Sequence, residues 1–134
     1  MELDLTHGKG TVIVEGNLLT VTSIGAFNEY GARSINEKIR NEIAKLKGKP
    51  FCILYDTRAL QGITPEAFEE AENLNRWLLT QNMLANATVS TTLAAAAIID
   101  KYAPTKKMHQ QKNFTDIDEA LSWLKNHGAN TNLD

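Results

Sequence analysis

Phe51-Cys52-Ile53-Leu54-Tyr55-Asp56, then Thr57-Arg58-Ala59-Leu60-Gln61-Gly62-Ile63, then Thr64-Pro65-Glu66, is the stretch on which the fold turns. Five apolar residues in a row, without alternation, are what a strand covered on both faces requires, so residues 51–55 read as a central strand stopping at Asp56. Residues 57–63 read as the loop after it. Thr64 is a natural N-cap, and Pro65 suits the first helical position, where no amide donor is needed. Glu66, Glu69 and Glu70 place negative charge at the positive end of the helix dipole. Ala67, Phe68, Ala71, Leu74 and Leu78 recur at helical spacing, which predicts an amphipathic helix to about Gln81.

Upstream, Phe27, Gly31, Ile35, Ile39, Ile43 and Leu46 fall three and four apart, with Arg33, Asn36, Glu37, Arg40, Asn41 and Lys45 on the other face. That spacing predicts a long helix from about Asn28, closed by Lys47-Gly48-Lys49-Pro50. Gly31 inside its apolar stripe implies either close approach of a neighbouring chain segment or a frayed first turn. Before it, Thr11 to Glu15 and Leu18 to Thr22 are β-branched and apolar around Gly16-Asn17, a hairpin signature. A central strand between two helices implies a right-handed connection to a parallel neighbour.

Downstream, Ala87 to Thr92 reads as a strand, Leu93 to Ala103 as a short Ala-rich helix ended by Pro104, and Lys106 to Phe114 as an edge strand. Asp116-Ile117-Asp118-Glu119 has the form of a capping box and opens a last helix through Leu124, with Gly128 as its stop and residues 129–134 expected to fray.

The whole is consistent with one domain over residues 1–134. Its 14 basic and 16 acidic residues, a net charge of -2, create no field that would attract nucleic acid. The single Cys52 has no partner for a disulfide, and the first residues are acidic and alternating rather than basic and then apolar. No apolar run is long enough for membrane insertion. These features lead us to expect a cytoplasmic chain.

In element order, and in two stretches, the sequence resembles the SpoIIAA-like family, related to STAS domains and sharing a fold with CRAL-TRIO/SEC14 lipid-binding domains. One stretch is Ile53 to Thr64, an apolar strand ending in an Asp-x-Arg step before a helix start. The other is Phe114-Thr115-Asp116 with Glu119-Ala120-Leu121-Ser122-Trp123-Leu124. The resemblance implies an α/β fold with a small mixed sheet of four or five strands flanked by helices. It also implies either a non-enzymatic protein-interaction or regulatory module, self-associating as a homodimer or binding another protein, or a carrier of a small apolar or lipid-like ligand. STAS antagonists carry a phosphorylatable Ser at the start of the helix after the central strand. Here that turn reads Ile63-Thr64-Pro65-Glu66-Ala67, and its one hydroxyl, Thr64, is needed as a cap beside acidic neighbours that would repel phosphate.

No catalytic or metal-binding signature stands out, and no cofactor is implied. The histidines His7, His109 and His127 lack ligand spacing, and there is no Gly-x-Ser-x-Gly elbow around Ser90 or elsewhere. Lys101, Lys106, Lys107, His109 and Lys112 read as an exposed basic edge. The candidate ligand or partner contacts are Asp56, Thr57 and Arg58, expected beyond the carboxyl end of a central strand, together with Thr64 and with Trp77, which by helical period points away from Phe68.

Overall fold

The computed structural model describes residues 4–132. In chain order it runs β1 (Lys9–Glu15), β2 (Leu18–Phe27), α1 (Glu29–Lys45), β3 (Phe51–Ile63), α2 (Pro65–Leu78), β4 (Met83–Val89), α3 (Leu93–Tyr102), a 3-10 helix (Pro104–Met108), β5 (Gln111–Phe114) and α4 (Ile117–Asn126). The five strands lie in the order of the chain, β1-β2-β3-β4-β5. β1 is antiparallel to β2, and every later pair is parallel.

That order decides where the helices go. Right-handed crossovers between parallel strands that each step to the next position place every crossover helix on the same face. α1, α2 and α3 accordingly share one side of the sheet, and α4, which follows the last strand, covers the other side over β3–β5. Side-chain alternation sorts the strands to match: Phe51, Ile53 and Tyr55 pack toward α1 and α2, while Cys52 and Leu54 pack toward α4.

The helix starts follow their sequence signals. Asn28, Thr64, Thr92 and Asp116 accept backbone N–H bonds as N-caps of α1 to α4, and Pro65 opens α2. In the β1–β2 hairpin the positive φ falls on Gly16, at 58°, and not on Asn17. Gly31 is a close approach: a Cβ there would stand 2.0 Å from the His7 carbonyl oxygen.

Several expectations are corrected. β3 does not stop at Asp56 but continues to Ile63, because β2 also runs on to Phe27 and pairs with residues 59–63. Two irregularities lie in that extension, one where Ser23 alone faces Thr57 and Arg58, the other beside Gln61. β4 spans Met83–Val89 rather than residues 87–92, and the expected edge strand from Lys106 begins as the 3-10 helix. Ser90, just past β4, is buried at 1% exposure. Asn36 is not on the solvent side of α1 but buried, donating to the Glu70 carbonyl at 2.9 Å across the α1–α2 contact.

The tail past Gly128 does not fray at its first residues. Ala129 is buried, and Asn130 exchanges bonds with Asn17, its N–H donating to Asn17 Oδ1 at 2.7 Å and its carbonyl accepting from the Asn17 N–H at 3.2 Å. Residues 133–134 lie outside the described residues.

Candidate functional site

The residues singled out in sequence do not form one cluster. Arg58 donates through Nε and Nη2 to Asp56 Oδ1 and Oδ2 at 2.9 and 2.8 Å, a bidentate pair, and its own N–H reaches Oδ1 at 3.1 Å. The guanidinium holds the Asp56 carboxyl below the usual carboxylate range. Asp56 follows Cys52 and Leu54 onto the α4 side, whereas Thr57 follows Ile53 and Tyr55 onto the other. There its hydroxyl donates to the Val89 carbonyl at 2.9 Å and meets Ser90 Oγ at 3.0 Å. The Asp-x-Arg step is therefore divided between the two faces, and it lies within β3 where β4 ends rather than in a loop beyond the strand. The physical reason is the strand order. A ligand crevice at strand ends opens where the order of parallel strands reverses, and here it never does.

Thr64 is exposed and engaged as a cap, its Oγ1 accepting from the Ala67 N–H at 3.2 Å. Trp77 is half-buried against the α1–α2 core with the Arg40 guanidinium 4.9 Å over its ring, so it braces two helices. Leu79, just past the end of α2, is left exposed.

The feature without a sequence signal is a cavity of about 150 Å³ between the sheet and α1, α2 and α3. Its walls are apolar, from Ile39, Leu60, Phe68, Leu74 and Ile99 among others. Its floor is not. Tyr55 and Thr88 are register partners on β3 and β4 and so point to the same face, and both line the cavity. Tyr55 Oη and Thr88 Oγ1 are buried with no hydrogen-bond partner among the described residues, and Thr88 is only 2% exposed. Burial pushes the Tyr55 phenol well above its ordinary value, so it is a neutral hydroxyl at physiological pH.

Beside them stands Lys106, which the sequence placed on an exposed basic edge and the structure leaves 7% exposed. Its Nζ donates to Asp100 Oδ1 at 2.9 Å and Asn113 Oδ1 at 3.0 Å, and Asn113 Nδ2 donates to Asp100 Oδ2 at 2.7 Å. Desolvation lowers the Lys106 pKa, and the bond to Asp100 opposes that. The backbone around Lys106 is fixed from α2: the carboxylate of Glu72, 9% exposed, accepts from both the N–H and the hydroxyl of Thr105.

The cavity adjoins a groove of about 880 Å³ between the end of β3, α2 and α3, the two sharing Leu60, Ile63, Phe68 and Ile99. Phe68 and Tyr102, with ring centroids 5.3 Å apart, join α2 to α3 over it. Of the histidines, His109 Nε2 bonds the Asn75 carbonyl and His127 Nδ1 the Trp123 carbonyl, at 2.9 and 2.7 Å. Among the described residues no group of three or more metal-ligating side chains comes together, and no helix is long and apolar enough to cross a membrane.

No protein-family model matches the chain. No curated protein matches it either. Solved structures do. An uncharacterised protein from Shewanella loihica, described as having a SpoIIAA-like fold, is 18% identical over 92% of this chain and 98% of its own, with a TM-score of 0.65. The anti-sigma factor antagonist SpoIIAA in its unphosphorylated form is 9% identical over 87% of this chain and 98% of its own, with a TM-score of 0.60. An anti-sigma factor antagonist from Mycobacterium paratuberculosis is 13% identical over 88% and 94%, with a TM-score of 0.58. At such identities the likeness speaks for architecture, and with the five-stranded mixed sheet, three helices on one face and one on the other, it establishes that this chain has the SpoIIAA-like fold.

Proposed function

We propose that the chain is a non-enzymatic protein-interaction or regulatory module, contacting a protein partner or a second copy of itself through the end of β3 and the start of α2. The likeness in fold, over most of the chain, to two proteins described as anti-sigma factor antagonists carries this reading. The exposed Arg58, held in one orientation by Asp56, offers a preformed charged contact there. Recognition on this surface runs without a phosphoserine switch: Thr64 is committed to capping α2, and Glu66 and Glu69 follow it.

Affinity purification of the wild type beside Arg58→Ala and a distant control, Lys125→Ala, tests it. A protein, or a second copy, retained by the wild type and the control but lost with Arg58→Ala is the expected result. Retention that ignores Arg58 contradicts it. Arg58→Ala should lower the denaturation midpoint at most modestly, because the guanidinium itself is exposed although its bidentate partner Asp56 is not.

A second reading, carriage of a small apolar or lipid-like ligand, is favoured by the cavity between the sheet and α1, α2 and α3. Its size restricts that reading. A cavity of about 150 Å³ holds a benzene-sized molecule, far short of a membrane lipid.

A further inference from the structure

The geometry points to a specific class of ligand for the cavity under α1, α2 and α3: a neutral amphiphile about the size of a cresol, its one hydroxyl or carbonyl received by Tyr55 Oη and Thr88 Oγ1. The inference rests on the ligand-carrier reading and names what that site would hold.

Three observations carry it. An engineered cavity of this volume lined only by aliphatic and aromatic groups takes benzene, which sets the size of the occupant's body. The present cavity differs in presenting two hydroxyls with no partner, one on a residue 2% exposed. Unpaired hydroxyls in an apolar wall are costly, and a ligand that brings one acceptor or donor removes the cost, whereas a hydrocarbon of the same shape leaves it in place. Discrimination of this kind comes from the site itself, because it is the site's own groups that go unpaired with the wrong ligand.

The neutral head group follows from the third observation. The cation at the cavity wall, Lys106, is already matched by Asp100 and held by Asn113. An anionic ligand would add an uncompensated charge to a buried pair, and a cationic one would meet Lys106 directly. A phenol, a short alcohol or a small ketone adds neither. The groove alongside, bordered by Leu60, Phe68 and Ile99, offers the way in.

The test is calorimetric or fluorescence titration of the full chain with p-cresol, toluene, p-toluate and 1-decanol. We expect p-cresol to bind about tenfold more tightly than toluene, the equivalent of roughly one buried hydrogen bond. p-Toluate should bind more weakly than p-cresol. Tyr55→Phe and Thr88→Val should each bring p-cresol down toward the affinity of toluene and leave toluene unaffected, a pattern that misfolding would not produce. Equal binding of toluene and p-cresol, or tighter binding of p-toluate, overturns the head-group assignment. If 1-decanol binds and p-cresol does not, the carrier reading survives and this assignment falls. If none of the four binds, both fall.

Discussion

The two faces of one sheet have been built to different standards. Toward α4, β3 to β5 present Cys52, Leu54, Ala85, Ala87, Val89 and Phe114, closed by Ala120 and Leu124, all of them buried. Toward α1, α2 and α3 the same strands present buried Phe51 and Ile53 but then Tyr55, Asn86 and Thr88, with Gln111 and Asn113 next to them. The three buried side-chain atoms without a partner among the described residues, Tyr55 Oη, Asn86 Oδ1 and Thr88 Oγ1, all lie on this second face. A stability-driven interior would have filled such positions with aliphatic side chains, as the α4 side does. Both faces carry a buried core, but the one under α1, α2 and α3 gives up part of its packing over β3 and β4 to keep a polar-floored space.

The largest test of the contrast is truncation on each side. Leu124→Ala, at a fully buried position on the closed face, should cost roughly 2–5 kcal/mol in a denaturant melt. Leu60→Ala, half-buried and already bordering empty space, should cost less than half as much. Comparable losses would mean that both faces are packed alike.

The next test uses pH. Burial raises the Cys52 thiol from 9.0 to about 11, so the folded state keeps its proton where the unfolded chain has lost it. The thiol's contribution is therefore complete below pH 9 and is lost as pH climbs toward 11. A shift of this size amounts to about 2–3 kcal/mol. The difference in stability between wild type and Cys52→Ala, followed from pH 8 to pH 11, isolates it from Tyr55 and Lys106. A flat difference would show that water reaches the α4 face.

Much of this architecture was legible in local chemistry. The unbroken apolar run of Phe51 to Tyr55, the Gly16-Asn17 turn, and the caps at Thr64 and Asp116 are decided by residues adjacent in the chain, and each sits where its signal placed it. What escaped depends on pairing across long separations. Residues 57–63 carry Gly and mixed polarity like a loop, and only the parallel register with Ile24 to Phe27 makes them strand. Lys106 looked like one of several surface lysines until Asp100 and Asn113 came around it. Tyr55 and Thr88 read as ordinary strand residues. Their meaning comes from a β3–β4 register that sets the two residues side by side on the face under a gap between helices, which neither strand's sequence contains. The tail beyond Gly128 read as loose because its anchor, Asn17, is more than a hundred residues earlier.

The smallest expected effect is the most direct test, because its sign separates the two faces. In Thr88→Val a buried hydroxyl without a partner becomes a methyl group of nearly the same shape, in a strand that favours Val. We predict that a urea titration of the ligand-free variant will show a gain of about 1 kcal/mol over wild type, while added p-cresol, which raises the wild-type midpoint, raises that of the variant less, and no more than toluene does. A variant that is less stable than wild type and is stabilised by p-cresol as much as the wild type is would contradict the account, since Thr88 would then be part of the packing and not part of a site.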